Sequence, residues 1–308
     1  MPGDTTGYIV DSVPLQDSLS KLHAAVFPVQ TKTEDGSSFF FVIALFGGII
    51  GLAFFLNRLH EKYLRKQAYK AAKQNFSLYD EWLGNYNGYY KSLPPVLRER
   101  FLERVSWFMS TKTFTYINLP GEEKMPLLIS AASIQISFGL DKYLLDFFDT
   151  IYVMQHNYKY GLYSQPFEGH VNSNGIYLSW DNFLRGYEDY TDGDNVGIHE
   201  MAHALAYVNF MAGSNDARDS AFIQRFYDFS AVARPVFNNM QKGNRNVLGD
   251  YAATNYNEFW AVAVETFFEK PLHMKLELPA LYASMCSLLN QDPLTPEKLL
   301  MIPSSLVS

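Results

Sequence analysis

Residues 39–56 read FFFVIALFGGIIGLAFFL, eighteen positions without a charge, and no other feature limits the chain so strongly. As a helix rising 1.5 Å per residue the run spans roughly 27 Å, close to the hydrocarbon thickness of a bilayer. A cleaved signal peptide would open on a short basic region and end at a small-residue cleavage site. Here an acidic stretch comes first, and Asn57-Arg58-Leu59-His60 follows. The run is therefore expected to form a transmembrane helix, residues 39–57, between a short segment, 1–38, and a long remainder.

Basic residues near a span set its orientation. Upstream there are Lys21 and Lys32, against Asp4, Asp11, Asp17, Glu34 and Asp35; downstream Arg58, Lys62, Arg65, Lys66, Lys70 and Lys73 crowd together. The bias predicts residues 1–38 outside and everything after the span in the cytoplasm. The basic cluster also suits anionic headgroups. Gly47 and Gly51 carry the Gly-x-x-x-Gly spacing that lets two spans approach, a candidate homodimer contact.

With 48% hydrophobic residues, 19% charged residues and a net charge of -7, the chain is neither a disordered acidic protein nor a polybasic nucleic-acid binder, and no direct nucleic-acid binding is expected. Of that charge, residues 1–38 contribute five acids and two bases, so the negative balance marks no partner. The lone Cys286 excludes an intramolecular disulfide and any multi-thiolate metal site, and it fits a reducing compartment.

After the span, residues 58–75 read as a basic juxtamembrane linker continuing as helix, and residues 76–308 as one folded domain with a single core. Pro94-Pro95 opens a helix with Leu97, Phe101, Val105 and Phe108 at helical spacing, and a second helix runs over 122–138 to a stop at Gly139. Residues 149–155 and 175–180 read as short strands. Further helices are expected over 195–210, 218–233, 257–268 and 279–289. The fold class is α+β, predominantly helical with a small sheet.

His199-Glu200-Met201-Ala202-His203 is an H-E-x-x-H pattern, preceded by good helix-capping residues ending at Asn195. Four residues turn a helix by about 400°, so both imidazoles leave one face and can converge on one tetrahedral ion. Glu200 stands beside them, placed to reach water. Asn209 occupies the position where one extended zinc pattern puts a third histidine, so that version is excluded. Downstream, Glu258 and Glu265 lie two turns apart on an otherwise apolar helix, where a carboxylate is costly unless paired or bound to metal. One is expected to be a ligand and the other to orient a histidine. The histidines at 23, 60, 156, 170 and 273 show no comparable spacing.

HEMAHAL, followed by DYAATNYNEFWAVAVETFFEKP and LPALYASMCSLLNQDP, with NLPGEEK at 118–124 and GIYLSWDNF at 175–183, resembles the MtfA-like zinc peptidases, also called the DgsA anti-repressor family. The likeness covers roughly residues 76–295 and leaves out the span. It implies a gluzincin-type metallopeptidase domain, related in its site to the anthrax lethal factor catalytic domain; together with the apolar span, the expected location is the bacterial inner (cytoplasmic) membrane. By position it implies one Zn2+ per chain on His199, His203 and Glu258, with Glu200 as base. It also implies Tyr251 stabilising the reaction intermediate. Asp250 adjoins Tyr251 and could orient it or simply begin the loop, and Glu265 could orient a histidine. Met201 and Ala204-Leu205-Ala206 depart from the pattern without touching the ligands.

The expected chemistry is hydrolysis of a peptide or protein substrate by zinc-activated water, with Glu200 taking the proton. Ile176, Tyr177 and Leu178 are the candidate open strand edge for an extended substrate. The resemblance also implies an alternative, a regulator that binds a transcriptional repressor as protein partner, with zinc structural or weakly catalytic.

Overall fold

The computed structural model describes residues 36–161, 165–213 and 217–301; residues 1–35 lie outside them. Two compact units divide the chain, Met1–Glu61 and Lys62–Ser308.

Helix α1, Gly36–Gln74, carries the apolar run and continues unbroken through the basic stretch. Among the described residues it is the one helix long and apolar enough to cross a membrane, with a mean hydropathy of 2.3 over a window that is wholly unburied. Phe41, Phe46, Ile50 and Phe54 are each more than 60% exposed, a state that water would penalise and lipid would not. A Cβ built on Gly47 or Gly51 meets nothing within 4 Å. Within the second unit, the end of α1 is tied down: Arg65 pairs with Glu103 at 3.2 Å, the Tyr69 hydroxyl donates to Glu99 at 2.7 Å, and Ala72 is buried.

The second unit continues with α2 (Phe76–Tyr86), α3 (Gly88–Ser92), α4 (Pro95–Thr111), strand β1 (Thr113–Ile117) and α5 (Lys124–Ser137), then β2 (Thr150–Met154), β3 (Gly169–Asn172), β4 (Gly175–Ser179) and α6 (Trp180–Glu188). It closes with α7 (Val196–Phe210), α8 (Ser220–Gln241), α9 (Tyr256–Glu269), α10 (Pro271–Glu277) and α11 (Pro279–Leu289). This is the α+β, mostly helical class expected. The sheet order is β1-β2-β4-β3, with β1 and β4 parallel to β2 and β3 antiparallel to β4. Apolar on nearly every side, α5 is buried from Leu127 to Ser137 and packs against α4 and α7.

Two strands, β1 and β3, are absent from the sequence reading: four or five residues give little period to see, and β3 holds its place through β4. The helix expected to end at residue 233 instead runs on to Gln241 with Pro235 inside it. A mid-helix proline gives up one hydrogen bond, at about 3 kcal/mol. Beyond it Met240 is buried and Phe237 packs against Tyr256 and Phe259, which offsets that loss.

Candidate metal centre

Helix α7 starts where the sequence punctuates it. The Asn195 side chain accepts from the Ile198 N–H at 3.1 Å, capping the helix one turn ahead of His199. Helix α9 is capped in the same way: the Asn255 carbonyl accepts from the N–H groups of Asn257 and Glu258 at 2.9 and 3.1 Å. Buried between the two helices, the Trp260 indole N–H donates at 2.8 Å to the carbonyl of Ala202, which lies between the two histidines. That bond and the apolar contacts around it fix the register of α9 on α7.

Two side chains from α7 and one from α9 then converge. His199 Nε2 stands 3.1 Å from His203 Nε2, and Glu258 Oε2 lies 3.0 and 3.5 Å from those nitrogens. Each of the three offers one ligand atom, all within 4.8 Å of one another. Four ligands 2.0–2.1 Å from a tetrahedral centre would be about 3.3 Å apart, so two imidazole nitrogens and a carboxylate oxygen at these separations suit zinc. The opposite nitrogen of the same ring, His199 Nδ1, meets Glu265 Oε1. Glu258 and Glu265, two turns apart on α9, thus bracket one imidazole, and a proton on Nδ1 leaves the Nε2 lone pair free to face inward. Burial opposes charge on His199, yet the two carboxylates raise its pKa well above the ordinary value. Burial likewise works against the Glu258 carboxylate, but the two histidines hold its pKa far below the usual range. A field that favours positive charge at this point suits a metal cation as well as a proton.

Glu200 is 5% exposed, and its Oε2 has no hydrogen-bond partner. Burial, partly countered by His199 and His203, pushes its carboxyl up to about 7. An unpartnered carboxylate oxygen beside three convergent donors suits a group that exchanges protons with water or substrate. Tyr251, on the single turn Asp250–Ala253, is 58% exposed with its ring 6.0 Å from that of His199. Burial first, and then the Glu258 carboxylate, push its hydroxyl up to about 12. Asp250, which could have oriented it or simply begun the loop, pairs instead with Arg245 at 3.1 Å on the surface. Asn209 is buried, donating to Leu205 and accepting from the Asp219 N–H.

One expectation needs correction. The strand holding Ile176, Tyr177 and Leu178 is β4, paired on both sides, and Ile176 and Leu178 are fully buried. No open edge exists there. The sheet ends instead at β3, whose Gly169 lies against the candidate base: a Cβ at that position would stand 2.5 Å from Glu200 Cγ and 2.7 Å from Oε1. Sequence reasoning also passed over Glu269, although it follows Glu265 by four residues and so continues the stripe of Glu258 and Glu265 on α9.

The chain matches the family described as glucose-regulated metallo-peptidase M90 over residues 61–289. It is also similar to the uncharacterized protein slr2042 of Synechocystis sp., at 26% identity over 207 residues, covering 61% of this chain and 74% of that protein. The family implies a metal and a peptide or protein substrate, and the His-His-Glu cluster falls inside the matched region. The match spans most of the residues and the whole of the candidate site, and the chain belongs to the glucose-regulated M90 metallopeptidase family.

Proposed function

We propose that the chain is a membrane-anchored zinc peptidase that cleaves peptide bonds with Glu200 as general base. The observation that carries this reading is the meeting of His199 Nε2, His203 Nε2 and Glu258 Oε2 beside the unpartnered Glu200 carboxylate. Those three side chains would hold one zinc ion, which when bound polarises a carbonyl and makes water more acidic. Glu265 holds the His199 ring in orientation and keeps the proton on Nδ1. Glu200 takes the proton of the attacking water and returns it to the leaving amine; a carboxyl near 7 can do both at neutral pH. The Tyr251 hydroxyl, which keeps its proton at neutral pH, donates to the oxygen on which negative charge develops. Strand β3 offers an edge for main-chain pairing with an extended peptide.

The anchor would be α1, with the peptidase unit in the cytoplasm as the six downstream bases direct. Glu200→Gln tests the reading: zinc should stay bound while peptide turnover disappears, and unchanged turnover in that variant would refute the assignment. Cysteine labelling from outside should reach a thiol placed at Asp11 and miss one at Gln241; the reverse would overturn the orientation.

A further inference from the structure

A cavity of about 200 Å³ lies beside the start of α7, lined in part by Tyr89, Tyr187, Tyr190, Asn195, Phe268 and Glu269. Its charge is one-sided. Glu269 is 7% exposed, and its carboxylate accepts from neutral groups, the Asn195 side-chain amide and the Gly193 N–H, each at 2.9 Å. Among the described residues no cation pairs with it. Burial first, and then the carboxylates of Glu265 and Asp192, push its carboxyl up to about 8 against the pull of Asn195. A second acceptor also lines the cavity. The Tyr187 hydroxyl is buried, with no hydrogen bond of its own. Its neighbour Asn87, whose amide donates to Gln135 and whose carbonyl accepts from the Tyr90 N–H, also bears on the Tyr187 oxygen through its second amide hydrogen, which leaves that oxygen a further lone pair.

We propose that this cavity binds a small organic ammonium group, held by the Glu269 carboxylate and the Tyr187 hydroxyl oxygen among the rings of Tyr89, Tyr190 and Phe268, and that its occupancy is felt at His199. An ammonium has three donors and no acceptor, matching two acceptors that lack a charged donor. Aromatic faces attract it further. A hard metal ion would need six or more oxygens, which one carboxylate and one hydroxyl do not supply. The link to the metal centre is a chain of hydrogen bonds. Glu269 accepts from the Asn195 side chain, the Asn195 N–H donates to Glu265 Oε2 at 3.1 Å, and Glu265 Oε1 meets His199 Nδ1. A cation that fixes Glu269 therefore bears on the residue that caps α7 and on the carboxylate that orients His199. This second half rests on the zinc-ligand reading above; the first half does not.

The test uses the full chain in detergent micelles at about pH 9, where Glu269 is ionised and the amine is still an ammonium, titrated by calorimetry with n-butylammonium and, as the neutral counterpart, n-butanol. One saturable site per chain is expected for the ammonium, with a Kd of about a millimolar for so small a ligand, and none for the alcohol. Glu269→Gln, which keeps the shape and removes the charge, should weaken binding at least tenfold. Tyr187→Phe should weaken it severalfold, and it serves where the first variant fails to fold. No saturable binding by the wild type, or equal binding by the alcohol or by both variants, overturns the cavity proposal. Zinc affinity, measured by competition with a chelator, should change about fivefold when butylammonium is present. It should not change in Asn195→Ser, which keeps a capping oxygen but cannot reach Glu269. Zinc affinity indifferent to butylammonium in the wild type overturns the coupling. Failure to bind zinc at all overturns the peptidase reading and the coupling with it, while the ammonium titration still judges the cavity.

Discussion

Adding one methyl group at Gly169 should disable the site without touching a proposed ligand. A Cβ there would stand 2.5 Å from Glu200 Cγ, 2.7 Å from Oε1 and 2.8 Å from Cδ. Ordinary contacts between such atoms begin near ~3.5 Å, so the carboxyl must withdraw by about 1 Å. Glu200 is buried with one oxygen unpartnered, so it has a single working position and little room to find another. A misplacement of that size typically costs ~100-fold in rate, or ~2.7 kcal/mol of barrier. For Gly169→Ala we therefore expect kcat on a model peptide to fall by about that factor, with KM changed far less and zinc content the same as wild type. The assay is steady-state hydrolysis by the full chain in micelles, paired with metal analysis of the same preparation. A variant retaining kcat within about twofold would refute the argument that Gly169 gives Glu200 its place. Loss of zinc would show that the strand, and not the base, had moved.

Glu265→Gln should weaken zinc binding by 10–100-fold, the usual effect of losing the carboxylate that orients a ligating imidazole, measured by chelator competition. Glu258→Ala removes one of the three convergent donors, and metal analysis should find the zinc gone. Glu269 predicts a dependence of stability on pH. Its carboxyl is raised from 4.5 to about 8, so folding carries no penalty from it below about 4.5. Stability is lost as pH rises toward 8, at about 1.4 kcal/mol per unit and up to ~5 kcal/mol in all. The difference in melting temperature between Glu269→Gln and wild type should grow across that window in the variant's favour; a constant difference would count against a buried, unpaired carboxyl.

Much of the candidate metal centre is legible in the sequence because it depends on helical period. Four residues between His199 and His203 and seven between Glu258 and Glu265 put each pair on one face whatever the rest of the chain does. The apolar run of α1 is equally local, since its length and lack of charge need no partner to be read. The caps at Asn195 and Asn255 are local too, and both form as their side chains dictate.

Tertiary structure decided what lies between elements distant in the chain. Which glutamate meets which nitrogen of His199 depends on how α9 is seated on α7, and that seat is set by the Trp260 bond to Ala202, 58 residues away. The open edge of the sheet could not be read from Ile176, Tyr177 and Leu178, because an edge is a property of strand order; the four residues of β3 cover β4 and bring Gly169 against Glu200. Asp250 adjoins Tyr251 along the chain, but in the fold Arg245 takes its carboxylate. Pro235 announces a helix end that the packing of Phe237 and Met240 overrides. Periodicity fixes which side chains share a face. What that face meets is set by burial and pairing among residues far apart in sequence, and no local pattern encodes it.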